Sequence, residues 1–172
     1  RPPGYPFFLA LVYRLTGGRP APAHLAQFAL GVLNVALAFA FVRRRFETVA
    51  AALAAPLAAT YWVFIYYEGE WLEPALLVTL MWLLLLALDR WRENRKETGL
   101  LLAGLALGVS ALVRPNALFL LPAAAAWAVW ILHPPRWWGR EAQRALALLA
   151  TGALLAITPV AFRQRSLSQA ME

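Results

Sequence analysis

The chain has 172 residues, 62% of them hydrophobic and only 15% charged, whereas soluble domains run at about 45–50% apolar and about 25% charged. A globule of this length has too little interior to hide so much apolar surface, which excludes a disordered segment and a compact cytosolic enzyme and leaves an integral membrane protein. The net charge of +7, from 16 Lys+Arg against 9 Asp+Glu, does not signal nucleic acid, because the bases stand between long apolar runs, where they orient helices in a bilayer.

The opening segment, RPPGYPFFLALVYRLTGG, begins with Pro2, Pro3 and Pro6, which predict a delayed helix start. Residues 7–15 are apolar and aromatic but too short to span. They predict an interfacial helix stopped by Gly17-Gly18, so residues 1–20 form a loop and a helix along the membrane surface. The chain opens at Arg1 without a signal-peptide pattern and reads as an internal fragment.

Stretches free of Asp, Glu, Lys and Arg then cover 20–42, 48–67, 74–88, 98–113, 115–135 and 145–162. A spanning helix needs about 20 mostly apolar residues. The runs are apolar around the whole circumference and show no period of two. They predict an all-α polytopic fold of about six spans, near 22–42, 48–67, 71–88, 98–113, 116–132 and 145–162. One helix through 98–135 would measure roughly 57 Å, nearly twice a bilayer core. Arg114-Pro115 therefore predicts a break between two shorter helices.

Ten of the 16 bases fall in three clusters, Arg43 to Arg45, Arg90 to Lys96 and Arg136 to Arg144. Alternate loops put these on one side, which the positive-inside rule makes cytoplasmic. The acids among them, Asp89, Glu93, Glu97 and Glu141, are expected to be solvated or in i,i+4 pairs. The other face receives residues 1–20, Glu68 to Glu73, Arg114 and the C-terminal end.

That outer face holds the candidate chemistry. Glu68 and Glu70 read as hydrated loop acids. Glu73 precedes Pro74 and so stands at a helix N-terminus, where it is either a cap or a functional carboxylate. Arg114 is the one charge between Thr98 and Pro135. It is either a snorkelling turn residue or a cation suited to phosphate. Arg1 and Arg14 add cations, and Tyr5, Tyr66, Tyr67 and Trp71 add amphipathic aromatics. Together they fit a lipid phosphate head with its tail among the helices. Gly104 and Gly108 predict close helix packing, and Gln27 and Asn34 predict hydrogen bonds across helices. Cysteine is absent, and His24 and His133 lie apart, so the sequence supports no divalent metal site.

Arg1-Pro2-Pro3-Gly4-Tyr5-Pro6, Glu73-Pro74 and the GLALGVSALVRPNALFLLP stretch at 104–122 occur in an order and spacing that resemble a known family. It is the GT-C type of polytopic glycosyltransferase that uses polyprenyl-phosphate sugars. Members include protein O-mannosyltransferase-like enzymes and bacterial transferases acting on lipid A and lipopolysaccharide. The resemblance implies inverting transfer of a sugar to a lipid, glycan or protein acceptor at the periplasmic or extracellular face of the inner (plasma) membrane. It implies that Arg1 and Arg114 bind the donor phosphate and that Glu73 is a supporting acid. Tyr5, Tyr67 and Trp71 would then line the pocket. The family's general base is an aspartate ahead of the proline pair. Residues 1–172 would then be a partial transferase domain, inactive alone, without the first span and any later domain. A transporter or flippase and a non-catalytic assembly subunit are the alternatives.

Overall fold

A computed structural model describes residues 2–61, 66, 73–132 and 139–169. Among the described residues the regular structure is helical, in the order α1 (Gly4–Thr16), α2 (Pro20–Arg45), α3 (Thr48–Thr60), α4 (Pro74–Asn94), α5 (Glu97–Val113), a 3-10 turn (Pro115–Phe119), α6 (Leu120–Leu132) and α7 (Arg140–Gln169). Among the described residues four stretches are long and apolar enough to cross a bilayer: Ala21–Arg45, Pro74–Asn94, Pro115–Leu132 and Arg140–Arg163. Thr48–Thr60 and Glu97–Val113 are shorter apolar helices. The chain is thus an all-α polytopic membrane protein, in two compact units, 1–83 and 84–172.

In the first unit α1 starts earlier than its prolines predict. Pro6 falls in the first helical turn, where the N–H has no intrahelical acceptor, so its loss costs little. Phe7 N–H already donates to Pro3 O at 3.0 Å. The helix stops where predicted: Gly17 and Gly18 take φ of 69° and 79°, and Gly18 N–H closes on Tyr13 O at 2.9 Å. Phe7, Leu11 and Leu15 lie exposed at i, i+4 and i+8, an apolar stripe suited to lying along lipid.

Helix α2 is built inside out relative to a helix of a soluble bundle. In α2 the buried face is Ala23, Gln27, Asn34 and Ala38, while Leu25, Phe28, Val32 and Leu33 face outward. Small and polar residues inside, with large apolar ones outside, fit a lipid solvent. Asn34 makes the expected bond between helices. Its Nδ2 donates to Ala75 O at 3.1 Å, and the Thr79 hydroxyl lies 2.9 Å from Asn34 Oδ1. Asn34→Leu is therefore expected to cost about 0.6–1.7 kcal/mol, between the average and the largest value measured for such bonds in membranes. Thermal unfolding in detergent reads this directly, and an unchanged midpoint would remove the bond from the stability account.

The stretch read as a span over 48–67 holds a shorter helix. Pro56 removes one ladder donor. The Thr60 hydroxyl turns back to Pro56 O at 2.7 Å, and Tyr61 is extended. Residues 62–65 and 67–72 lie outside the described residues.

In the second unit α5 is the packed centre. It buries Gly99, Ala103, Gly104, Leu107, Gly108 and Ala111. A Cβ on Gly99 would come 2.7 Å from Trp91 Cβ, so α4 and α5 form a tight hairpin. A Cβ on Gly104 would collide with Leu149 O, and one on Gly152 with Leu101 O. The GxxxG pair is thus a packing device between α5 and α7. Asp89 departs from expectation: it is 1% exposed rather than solvated. Ala87, Leu88 and Trp91, near it on α4, are also buried, while Arg90 is exposed.

Candidate functional site

Two of the predicted site residues, Tyr5 and Glu73, lie among the described residues of the first unit. Tyr5 sits in the first turn of α1, which the Pro3 carbonyl opens. It packs on Phe8 with ring centroids 6.1 Å apart. Glu73 sits at the start of α4 as predicted. Its carbonyl accepts the first helical bond, from Leu77 N–H at 3.0 Å, and Pro74 follows as the first helical residue. A proline there sacrifices no ladder bond. The carboxylate thereby lies at the positive end of the helix dipole.

The two groups feel each other. The Tyr5 phenol is pushed above its usual value, first by burial, then by the Glu73 carboxylate, then by Tyr13. Its hydroxyl oxygen is buried and has no hydrogen-bond partner among the described residues. An orphaned buried hydroxyl costs about 1–3 kcal/mol. Tyr13 was missed in the sequence reading. The available signal was helical spacing, because Tyr5, Leu9 and Tyr13 repeat every four residues along α1.

A raised phenol pKa favours the folded state only while the phenol is neutral. The contribution is complete below pH 10, the unperturbed value, and declines as pH rises toward the folded-state value. Melting midpoints measured from pH 8 to 11 should fall more steeply for the parent than for Tyr5→Phe. Parallel curves would mean that Tyr5 ionises as freely folded as unfolded.

Arg114 belongs to the second unit. The backbone leaves α5 there in an extended conformation, with φ −146° and ψ 110°. Its N–H still donates to Ser110 O at 2.7 Å, and its carbonyl accepts from Ala117 N–H at 2.9 Å. The predicted break at Arg114-Pro115 is therefore real. The side chain is exposed, next to the outward-facing Leu118 and Phe119. Arg1, Tyr67 and Trp71, like Glu68 and Glu70, lie outside the described residues. Tyr66 is exposed. No group of three metal-ligating side chains forms among the described residues.

The model of the family described as dolichyl-phosphate-mannose-protein mannosyltransferase matches residues 1–162. The chain belongs to that family. No curated protein and no solved structure matches it. The family match spans the proline pair, Glu73-Pro74 and Arg114-Pro115 alike. It makes the chain a membrane glycosyltransferase of the GT-C type, a class that moves a sugar from a lipid-linked donor to an acceptor. The mannosyltransferase family and the apolar helices agree on a multi-pass membrane protein.

Proposed function

We propose that this mannosyltransferase-family chain transfers a sugar, with inversion, from a polyprenyl-phosphate donor to a lipid, glycan or protein acceptor. The reaction takes place at the outer face of the inner membrane. The observation that carries the reading is the family match across residues 1–162, with the buried Tyr5 hydroxyl, unpartnered among the described residues and pushed up by burial and then by Glu73, as its support. The neutral phenol donates a hydrogen bond to the donor headgroup, with Tyr67 and Trp71 completing the pocket wall. Glu73 orients the acceptor or supports the oxocarbenium-like centre as the glycosidic bond weakens. Negative charge grows on the leaving phosphate, and Arg1 and Arg114 stabilise it in a site of low dielectric. The family's aspartate ahead of the proline pair takes the acceptor proton. The basic clusters at Arg43 to Arg45, Arg90 to Lys96 and Arg136 to Arg144 face the cytoplasm.

The test is Glu73→Gln in the full-length enzyme, assayed in membranes with a labelled polyprenyl-phosphate sugar. Transfer should fall about tenfold or more, since positioned acids contribute roughly 10²–10⁴-fold. Binding of the donor, read by thermal shift, should persist. Full activity in the glutamine variant would reduce Glu73 to a helix cap.

A further inference from the structure

The second unit carries a cavity that the transferase chemistry does not use. It measures about 400 Å³, within the range of small-ligand sites. It forms where the end of α4 and the start of α5 meet the end of α6 and the start of α7. Its floor is apolar and buried, with Trp91, Leu100 and Ala145. Its rim is charged and exposed, with Arg95, Glu97, Glu141 and Arg144.

The rim is held in shape. Arg95 takes φ 55°, a left-handed conformation that disfavours any residue with a Cβ and persists only where its surroundings impose it. Here Asn94 Oδ1 accepts from Lys96 N–H at 3.0 Å and fixes the turn. The Arg95 guanidinium lies 5.3 Å from the Trp91 ring centre and donates to Ile131 O at 3.3 Å. The strained turn thus ties α4 to the end of α6.

We propose that this cavity binds the headgroup of an aminophospholipid, a phosphodiester joined to a primary ammonium. Charge points to the class. The two guanidiniums and two carboxylates that line the cavity sum to zero and offer partners to both poles of a zwitterion, two to each. The arginines take the phosphate, and Glu97 and Glu141 take the ammonium hydrogens. A purely anionic headgroup would leave both carboxylates opposite hydroxyls. A choline headgroup has no N–H to donate to them. Depth agrees as well: the stretches that end or begin here, Pro74–Asn94, Pro115–Leu132 and Arg140–Arg163, are long enough to cross a bilayer. A cavity at their ends lies at the headgroup layer, with the Trp91 indole suited to that boundary. Leu132 and Leu148, also lining it, offer a path for the glycerol end.

The experiment is thermal unfolding of the purified protein in detergent with dioctanoyl phosphatidylethanolamine, phosphatidylglycerol or phosphatidylcholine added separately. The ethanolamine lipid should raise the melting midpoint at least twice as far as either other lipid. Arg144→Ala and Glu141→Gln should each remove at least half of that rise, and Arg43→Ala, which lies outside the second unit, should leave it intact. Native mass spectrometry of the same variants should show matching losses of bound lipid, so a variant of lowered stability still gives a reading. Equal or larger shifts with the glycerol lipid would overturn the proposal in favour of an anion site. Shifts insensitive to both cavity variants, or absent with all three lipids, would also overturn it. Displacement of the ethanolamine lipid by polyprenyl phosphate would overturn it too, by assigning the cavity to the sugar donor.

Discussion

Replacing Arg114 by alanine in the full-length enzyme should lower glycosyl transfer at least tenfold while membrane insertion and helix content stay normal. The structural half of that expectation follows from where the residue sits. Arg114 holds its place through backbone bonds, to Ser110 O and from Ala117 N–H, and its side chain is exposed. Alanine keeps both bonds, and Pro115 still forces the break. The functional half follows from the chemistry of the leaving group. A fixed cation aimed at developing phosphate charge stabilises the transition state more than the ground state, and losing one such donor commonly costs 10²–10³ in rate. Tenfold corresponds to about 1.4 kcal/mol. Arg114→Lys should recover part of the rate, since a point charge without the planar fork satisfies fewer phosphate oxygens. The measurement is initial rate against donor concentration, alongside protease-accessibility mapping of insertion. An alanine variant that turns over normally would leave Arg114 as a snorkelling turn residue and nothing more.

Arg114 was readable in the sequence for reasons that apply across the fold. Local chemistry dictated it: a proline, an arginine and a helix too long for the bilayer on either side of them. The Gly17-Gly18 stop and the Glu73-Pro74 start were legible on the same terms, since φ freedom and a missing N–H act within one turn of chain. The GxxxG pair was legible because only a missing side chain lets backbones touch in lipid. What escaped depends on neighbours distant in sequence. Asp89 looks like any charge near a basic loop, yet it is 1% exposed, on a helix whose Trp91 packs against Gly99. In the second predicted span the helix Thr48–Thr60 carries Pro56 in its interior, and Thr60 bonds back to Pro56 O. The electrostatic influence of Glu73 on Tyr5 links positions 68 residues apart. Hydropathy carries no information about that link, although the family's motif order hinted at it.

The largest stability effect should come from adding one carbon at Gly104. The Cβ of Gly104→Ala would collide with the Leu149 carbonyl oxygen and come 3.0 Å from its carbon. Neither is the far end of a flexible side chain, so nothing can rotate away. Helix α5 or α7 must move instead, and Gly152, whose own Cβ would meet Leu101 O, shows that the close approach is mutual. Overpacking typically costs about 1–3 kcal/mol and occasionally more, and a backbone collision belongs at the upper end. At about 3 kcal/mol the midpoint should drop by roughly 6–12 °C for a chain of this size. Gly17→Ala is the matched control. It meets no atom within 4 Å, although its φ is 69°, so it loses only about 1–2 kcal/mol of backbone preference. If the two variants melt together, the α5–α7 contact is looser than its geometry states. The consequence reaches the chemistry, because Arg114 follows directly on the C-terminal end of α5. An ångström of displacement along that helix would misplace the guanidinium, and misplacement on this scale can cost about 10²-fold in rate. Gly104→Ala should therefore slow transfer even at temperatures where it remains folded, and Gly17→Ala should slow it less.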